Sequence, residues 1–338
     1  MNILFCSVPF YPSVGGIEMV SAVLAERFVK AGHDLTLVTQ TPYEGQDSTG
    51  FRIVRRPGAQ ELTRLVREAD VVVHNNISLR LGWPMAMIRR PWVIAHQTWI
   101  GHEGVAAHAK RRMLPYARHI AISRAVAEDL AVPSTLVPNP YAHELFRVAD
   151  DVVRGARSLV FVGRLVSDKG CDRLVRAMAL LREQSIEARL TIIGDGPEAP
   201  ALRALTESLG LGDRIEFTGK LTGEPLVAKL NEHAIMVVPS VWEEPFGIVA
   251  LEGIACGCVP VVTRRGGLPD AVGECGVVVP GDEPAALAGG IRALLEDPAA
   301  VQGYRAKAAA HLARHTVDRI AEDYLQVIDD ARLASGLH

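Results

Sequence analysis

Glu244-Pro-Phe-Gly-Ile-Val-Ala-Leu-Glu252, running on through Gly253-Ile-Ala-Cys-Gly257, is the stretch whose reading decides the fold. An apolar run, Ala234-Ile-Met-Val-Val-Pro239, precedes it, and another, Cys258-Val-Pro-Val-Val-Thr263, follows. Apolar strand, loop, helix and strand again is the pattern of a parallel α/β sheet. The spacing predicts a helix from near Phe246, with free N–H groups at Phe246, Gly247 and Ile248 facing the loop. Such amides and the helix dipole suit an anion or an electron-rich oxygen, and Gly247 lets the backbone approach a ligand closely. Glu244 falls in the loop and Glu252 about two turns into the helix. Carboxylates accept well from sugar hydroxyls, as they do on ribose in dinucleotide sites. The competing reading is that both glutamates only cap and solvate a helix.

The same residues carry a resemblance. Two glutamates separated by seven residues and framing Pro245-Phe-Gly-Ile-Val249 resemble the motif of retaining glycosyltransferases of family 4. That resemblance implies the GT-B architecture: two Rossmann-like parallel-sheet domains facing a cleft, with a C-terminal helix crossing back to the first domain.

At 338 residues the chain is long for one core and typical of two domains. Its 49% hydrophobic and 22% charged residues are ordinary for a soluble globular protein. A net charge of −3 gives no global attraction to nucleic acid or to an anionic membrane. No apolar run approaches the roughly 18 residues that span a bilayer. Met1-Asn-Ile-Leu-Phe-Cys-Ser7 reads as a first strand, not a signal peptide. Five scattered cysteines fit no disulfide framework, which points to a reducing cytoplasm, and Cys256 and Cys258 read as small core residues.

In the first half, Asn2–Val8 reads as a buried strand, Pro9–Gly16 as a loop and Ile17–Ala31 as a helix with Val20, Val23, Leu24 and Phe28 on one face. Gly15-Gly16 is not the three-glycine dinucleotide fingerprint. The pair allows close approach to a phosphate or sugar, or simply a tight turn. Gly15-Gly-Ile-Glu18, then a helix and Gly32-His-Asp34, is similar to the opening of the same family. Val71–Asn76 and Trp92–His96 read as strands ending in polar residues, where α/β sheets place ligands. His96 aligns with a family histidine beside the donor sugar; His74 has less support. Residues 105–119 read as a basic helical stretch containing Lys110, Arg111 and Arg112, with Arg89, Arg90 and Trp92 nearby in sequence. That composition suggests a peripheral membrane contact or a phosphate-bearing acceptor, against a plain solvated face.

Pro138-Asn-Pro140 and Val148–Arg157 read as a linker, giving domains 1–147 and 148–315 and a final helical segment 316–338. Ser158–Gly163 opens the second sheet. Arg164-Leu-Val-Ser-Asp-Lys169-Gly170 follows, before a helix over Asp172–Gln184. An Arg fork and a Lys point charge in a strand-to-helix loop suit a diphosphate, and they match the family's Gly-Arg-Leu…Lys-Gly signature. Leu190–Gly196 reads as strand and turn, with Gly194 in the donor pocket. The resemblance places Lys220 and Leu221 against the nucleotide base, mainly through backbone. It is weaker from Gly50 to Arg90 and at Asn139, where the commoner family Asn-Gly becomes Asn-Pro.

The reaction so implied moves a hexose from a nucleotide diphosphate sugar, with uridine diphosphate the expected carrier, to a hydroxyl acceptor with retention. His96, Glu244, Arg164 and Lys169 are the candidate catalytic residues. Gly15, Gly16, Gly194, Lys220, Leu221, Phe246, Gly247, Ile248 and Glu252 join Arg164, Lys169 and Glu244 as donor-binding residues. No Asp-x-Asp occurs in the chain, so no metal is expected. A nucleotide-sugar 2-epimerase, a dinucleotide dehydrogenase and a non-catalytic nucleotide-sugar-binding module are the rival readings.

Overall fold

Strands of both sheets are built from β-branched and apolar runs buried on both faces, as Val71-Val-Val73 and Val259–Thr263 show. The computed structural model describes residues 1–13, 15–149 and 152–335. Val14 of the predicted first loop, Asp150 and Asp151 of the predicted linker, and residues 336–338 lie outside the described residues. The chain divides into two units, one made of residues 1–140 with 317–338, the other of residues 141–316.

In the first unit, β1 (Asn2–Cys6), β2 (Asp34–Thr39), β3 (Arg52–Arg55), β4 (Val71–Asn75), β5 (Trp92–His96), β6 (Arg118–Ala121) and β7 (Thr135–Leu136) form one sheet. Among the described residues its order is β3-β2-β1-β4-β5-β6-β7, all parallel, with Ile3 level with both Leu35 and Val71. The helix Gly16–Lys30 buries Val20, Leu24 and Phe28 at four-residue spacing, and Phe28 meets Phe5 edge to face at 6.0 Å. The last helix, Val317–Ser335, packs on the same face. Ile320, Tyr324 and Ile328 on it are fully buried, the Tyr324 hydroxyl accepts from Gln97 Nε2 at 3.0 Å, and Asp318 pairs with Arg27 at 2.8 Å.

The second unit holds β8 (Gly155–Val162), β9 (Arg189–Ile193), β10 (Ile215–Gly219), β11 (His233–Val238), β12 (Val259–Thr263) and β13 (Val277–Val279). Among the described residues they form a parallel sheet in the order β10-β9-β8-β11-β12-β13. Its core joins Leu159 and Phe161 of β8 to Leu174 and Leu181 of the helix Cys171–Glu183 and to Leu287 and Ile291 of the helix Pro284–Glu296. In each sheet the chain leaves the first strand to one side and later returns to its other side. The switch points are β1/β4 and β8/β11, where open α/β sheets form their ligand crevices.

The division falls at Pro140, not at 147 as the composition suggested. Residues 141–149 belong with the second unit because Tyr141 N–H donates to His315 O, Asn231 Nδ2 to Arg147 O, and Ala149 N–H to Asn231 Oδ1. The basic stretch also ends early. Its α-helix is Val105–Met113 and Leu114–Tyr116 form one 3₁₀ turn, so Arg118 and His119 stand on β6. Pro115 interrupts the helical ladder there.

Candidate active site

The second unit's switch point is built by two loops, 163–170 after β8 and 239–247 after β11. Their backbones are joined: the N–H groups of Val241 and Trp242 both donate to Asp168 O, at 3.0 and 3.2 Å. Gly170, at φ +65°, packs so closely that a Cβ there would fall 2.0 Å from Pro239 O. This junction holds Lys169 against Glu244. Lys169 Nζ donates to Glu244 Oε1 at 2.5 Å, Ser240 Oγ donates to the same oxygen at 2.8 Å, and the ammonium lies 5.8 Å from the Trp242 ring centre. Glu244 is 9% exposed. Its Oε2 makes no hydrogen bond among the described residues, leaving a lone pair for a ligand.

Its neighbour Glu243 is engaged elsewhere. It takes Arg265 Nη1 at 3.1 Å and Gly266 N–H, while Arg265 also donates to Asp282 at 2.6 Å and holds that carboxyl below the usual range. The two adjacent glutamates thus have different partners, and Glu244 reaches the cationic loop. Arg164 is exposed, and its guanidinium has no partner among the described residues.

The helix after the second loop starts later than the spacing suggested. It spans Ile248–Ala255, with Gly247 as its N-cap at φ +108°. A residue at that φ stands outside the helix, so the Phe246 amide is not among the free N–H groups of the first turn; those of Ile248 and Val249 are. Phe246 instead buries its ring against His315, with centres 5.7 Å apart. Glu252, one turn into the helix, makes no side-chain hydrogen bond among the described residues, and burial pushes its carboxyl up to about 7.

The neighbouring loops close on this pair. Gly194 (φ +149°) leaves room for Gly163 O, and its N–H donates to Gly219 O at 2.9 Å. Lys220 is exposed and Leu221 half-buried just beyond β10. Gly15, Gly16 and His96 belong to the first unit. Gly15 is the extended N-cap of the helix Gly16–Lys30, and a Cβ there would meet the Glu18 carboxylate at 2.6 Å. His96 ends β5, fully buried, and is pushed down to about 3 by burial and by His119 and Arg111. Ser240, Trp242 and His119 are contacts that the sequence did not reveal. Ser240 and Trp242 lie just outside the quoted motif, and His119 was hidden in what read as a helix. The five cysteines are free and buried; burial pushes Cys6 and Cys171 up to about 12, which leaves no thiolate nucleophile there.

Residues 156–297, which contain both loops, match the family model described as "Glycosyl transferases group 1". In that stretch the chain is similar to glycosyltransferases of the group 1 type. The chain is 29% identical over 338 aligned residues to an uncharacterized glycosyltransferase of Methanocaldococcus jannaschii, covering 84% of this chain and 86% of that one. It is 41% identical over 189 residues to the D-inositol 3-phosphate glycosyltransferase of Acidothermus cellulolyticus, covering 51% of this chain and 41% of that protein. It thus spans under half the length of that inositol-phosphate relative. Among solved structures, Anabaena HepE in complex with UDP superposes with a TM-score of 0.82 at 19% identity, covering 98% of this chain and 100% of that one. That likeness bears on the fold, two Rossmann-like parallel-sheet domains of the GT-B kind.

Proposed function

We propose that this chain is a glycosyltransferase that moves a hexose-type sugar from a UDP sugar to a hydroxyl acceptor with retention of anomeric configuration, in glycan, polysaccharide or glycolipid assembly. The observation that carries the reading is the Lys169–Glu244 pair at the switch point of the second sheet, on loops that also carry Arg164, without a partner among the described residues, and a helix N-terminus. Negative charge grows on the leaving diphosphate, and donors fixed beforehand stabilise it best. Arg164, Lys169 and the first-turn amides of the helix Ile248–Ala255 are those donors. Glu244 spends Oε1 on Lys169 and Ser240, and its Oε2 takes a hydroxyl of the donor sugar. Glu252 takes the ribose hydroxyls, while the backbone around Lys220 and Leu221 lies along the base, with Gly194 beneath. Gly15, Gly16 and His96 are assigned to the donor by resemblance. UDP is favoured as carrier because HepE, of like fold, was crystallised with UDP and with UDP-glucose.

The acceptor oxygen bonds to the anomeric carbon as the bond from that carbon to the phosphate oxygen breaks. The acceptor's proton passes to that phosphate oxygen, on the same face. No metal takes part, so a chelator leaves turnover unchanged. A lipid-linked acceptor fits the helix Val105–Met113, where Lys110 and Arg112 are accompanied by strongly exposed Val105, with exposed Tyr116 on the 3₁₀ turn that follows. Co-sedimentation with anionic vesicles tests that contact.

The decisive experiment is thermal-shift screening against nucleotide sugars, followed by turnover with the best donor and a panel of hydroxyl acceptors, the product anomer being read by proton NMR. A ligand that binds only the folded state raises its melting temperature. Release of UDP and free 2-epimerised sugar from donor alone would mark an epimerase, and no stabilisation by any nucleotide sugar would end the proposal.

A further inference from the structure

His96 is wired to a second histidine to which the reaction above gives no role. His119 stands on β6, next to β5, and its Nε2 lies 2.8 Å from the carbonyl oxygen of Leu114. A carbonyl only accepts, so Nε2 of His119 carries the proton. Neutral His119 then has a bare Nδ1, which lies 3.0 Å from Nε2 of His96. His96 must donate across that contact, so its proton sits on Nε2 and its Nδ1 is a lone pair. That Nδ1 is buried and has no partner among the described residues. Buried polar atoms are nearly always hydrogen-bonded, so a buried lone pair without a donor points to a ligand that brings one. Both rings stay neutral: burial lowers His119, and burial with the nearby Arg111 charge lowers His96.

The third histidine on this face engages its other nitrogen. Trp92 Nε1, which can only donate, lies 2.9 Å from Nδ1 of His74, so His74 holds its proton on Nε2. Neighbouring strands of one sheet therefore hold two histidines in the same tautomer but with opposite atoms committed. His74 has its lone pair occupied, and His96 has it free.

We infer that His119 is a positioning residue: anchored by the Leu114 carbonyl, it fixes His96 as the Nε2–H tautomer, so that His96 offers Nδ1 as an acceptor to a substrate hydroxyl and donates no proton to it. Only the identity of that hydroxyl rests on the sugar-transfer reading; the tautomer does not. The test uses the full chain labelled with ¹⁵N-histidine and long-range ¹H–¹⁵N correlation spectra, with His96→Gln supplying the assignment. The expected spectrum has His96 protonated at Nε2, bare at Nδ1 and without titration between pH 5 and 8. His119→Phe should release the tautomer and lower kcat about tenfold, the worth of one hydrogen bond, with UDP affinity unchanged. In His119→Asn the amide oxygen stands near the place of Nδ1 and can still accept from His96, so it should restore both readouts.

A His96 protonated at Nδ1 in the parent protein overturns the inference. So does a His119→Phe protein with unaltered tautomer and turnover. If His119→Phe fails to fold, the parent spectrum and His119→Asn still decide. A chain that accepts no nucleotide sugar yet shows these spectra would sink the transfer reading and leave the relay standing.

Discussion

Replacing Glu244 by alanine separates the sugar-holding role from the phosphate-holding one. The change removes the acceptor that Lys169 reaches at 2.5 Å and Ser240 at 2.8 Å, and the free Oε2 beside it. It keeps the Glu244 carbonyl, which takes the Gly267 N–H at 2.7 Å, so the loop itself stays tied. A hydrogen bond to a charged group contributes about 1.5–3 kcal/mol, and every 1.36 kcal/mol is tenfold in rate. The loss of one sugar hydroxyl contact in the transition state therefore lowers kcat/KM by about 10- to 150-fold. Lys169 is left charged, half-buried and without its carboxylate, and so more available to a diphosphate. UDP affinity should hold steady or rise. Initial rates with UDP-glucose and titration calorimetry with UDP alone measure the two quantities on the same preparation. Parallel loss of turnover and UDP affinity would refute the reasoning, because it would mean that Glu244 serves the diphosphate through Lys169 and leaves the sugar alone.

Glu252 supplies a pH test. Its folded value of about 7 lies above its ordinary 4.5, so its contribution to stability is full below pH 4.5 and is lost as pH rises through 7. Glu252→Gln should therefore melt a few degrees higher than the parent at pH 8 and at the same temperature at pH 4, by scanning calorimetry, while binding UDP more weakly. Gly170→Ala forces a Cβ to within 2.0 Å of Pro239 O at a left-handed φ. It should cost about 2–4 kcal/mol in urea unfolding and uncouple Lys169 from Glu244. Tyr324→Ala removes a fully buried ring between the last helix and Gln97 and should cost about 3–5 kcal/mol in the unfolding of the first unit.

Most of the strands were legible because parallel strands are buried on both faces and read as apolar runs. Val71–Asn75, Trp92–His96 and His233–Val238 are such runs. Glu244 and Lys169 were legible because loops at strand ends carry little besides ligand groups and glycines. What stayed hidden depended on three-dimensional neighbours. The start of the helix at Ile248 is set by the positive φ of Gly247 and by the seat that Phe246 finds against His315, and periodicity reports neither. His119 lies in a cluster of basic residues whose 3.6-residue spacing continues past Pro115, so the first two residues of a four-residue strand read as helix. The different partners of Glu243 and Glu244 depend on Arg265, twenty residues further along the chain.

The last helix has a consequence for the order in which the molecule is made. Val317–Ser335 supplies Ile320, Tyr324 and Ile328 to the core of a unit whose other residues end at Pro140. Everything in between is the other unit. A ribosome that has added Thr316 has therefore synthesised every residue of the second unit. The first unit, though synthesised earlier, still shows a bare apolar groove over β5 and the helix Gly16–Lys30. The usual sequence of amino-terminal maturation first is inverted here: the part begun first is finished last, and until then its groove is open to chaperones.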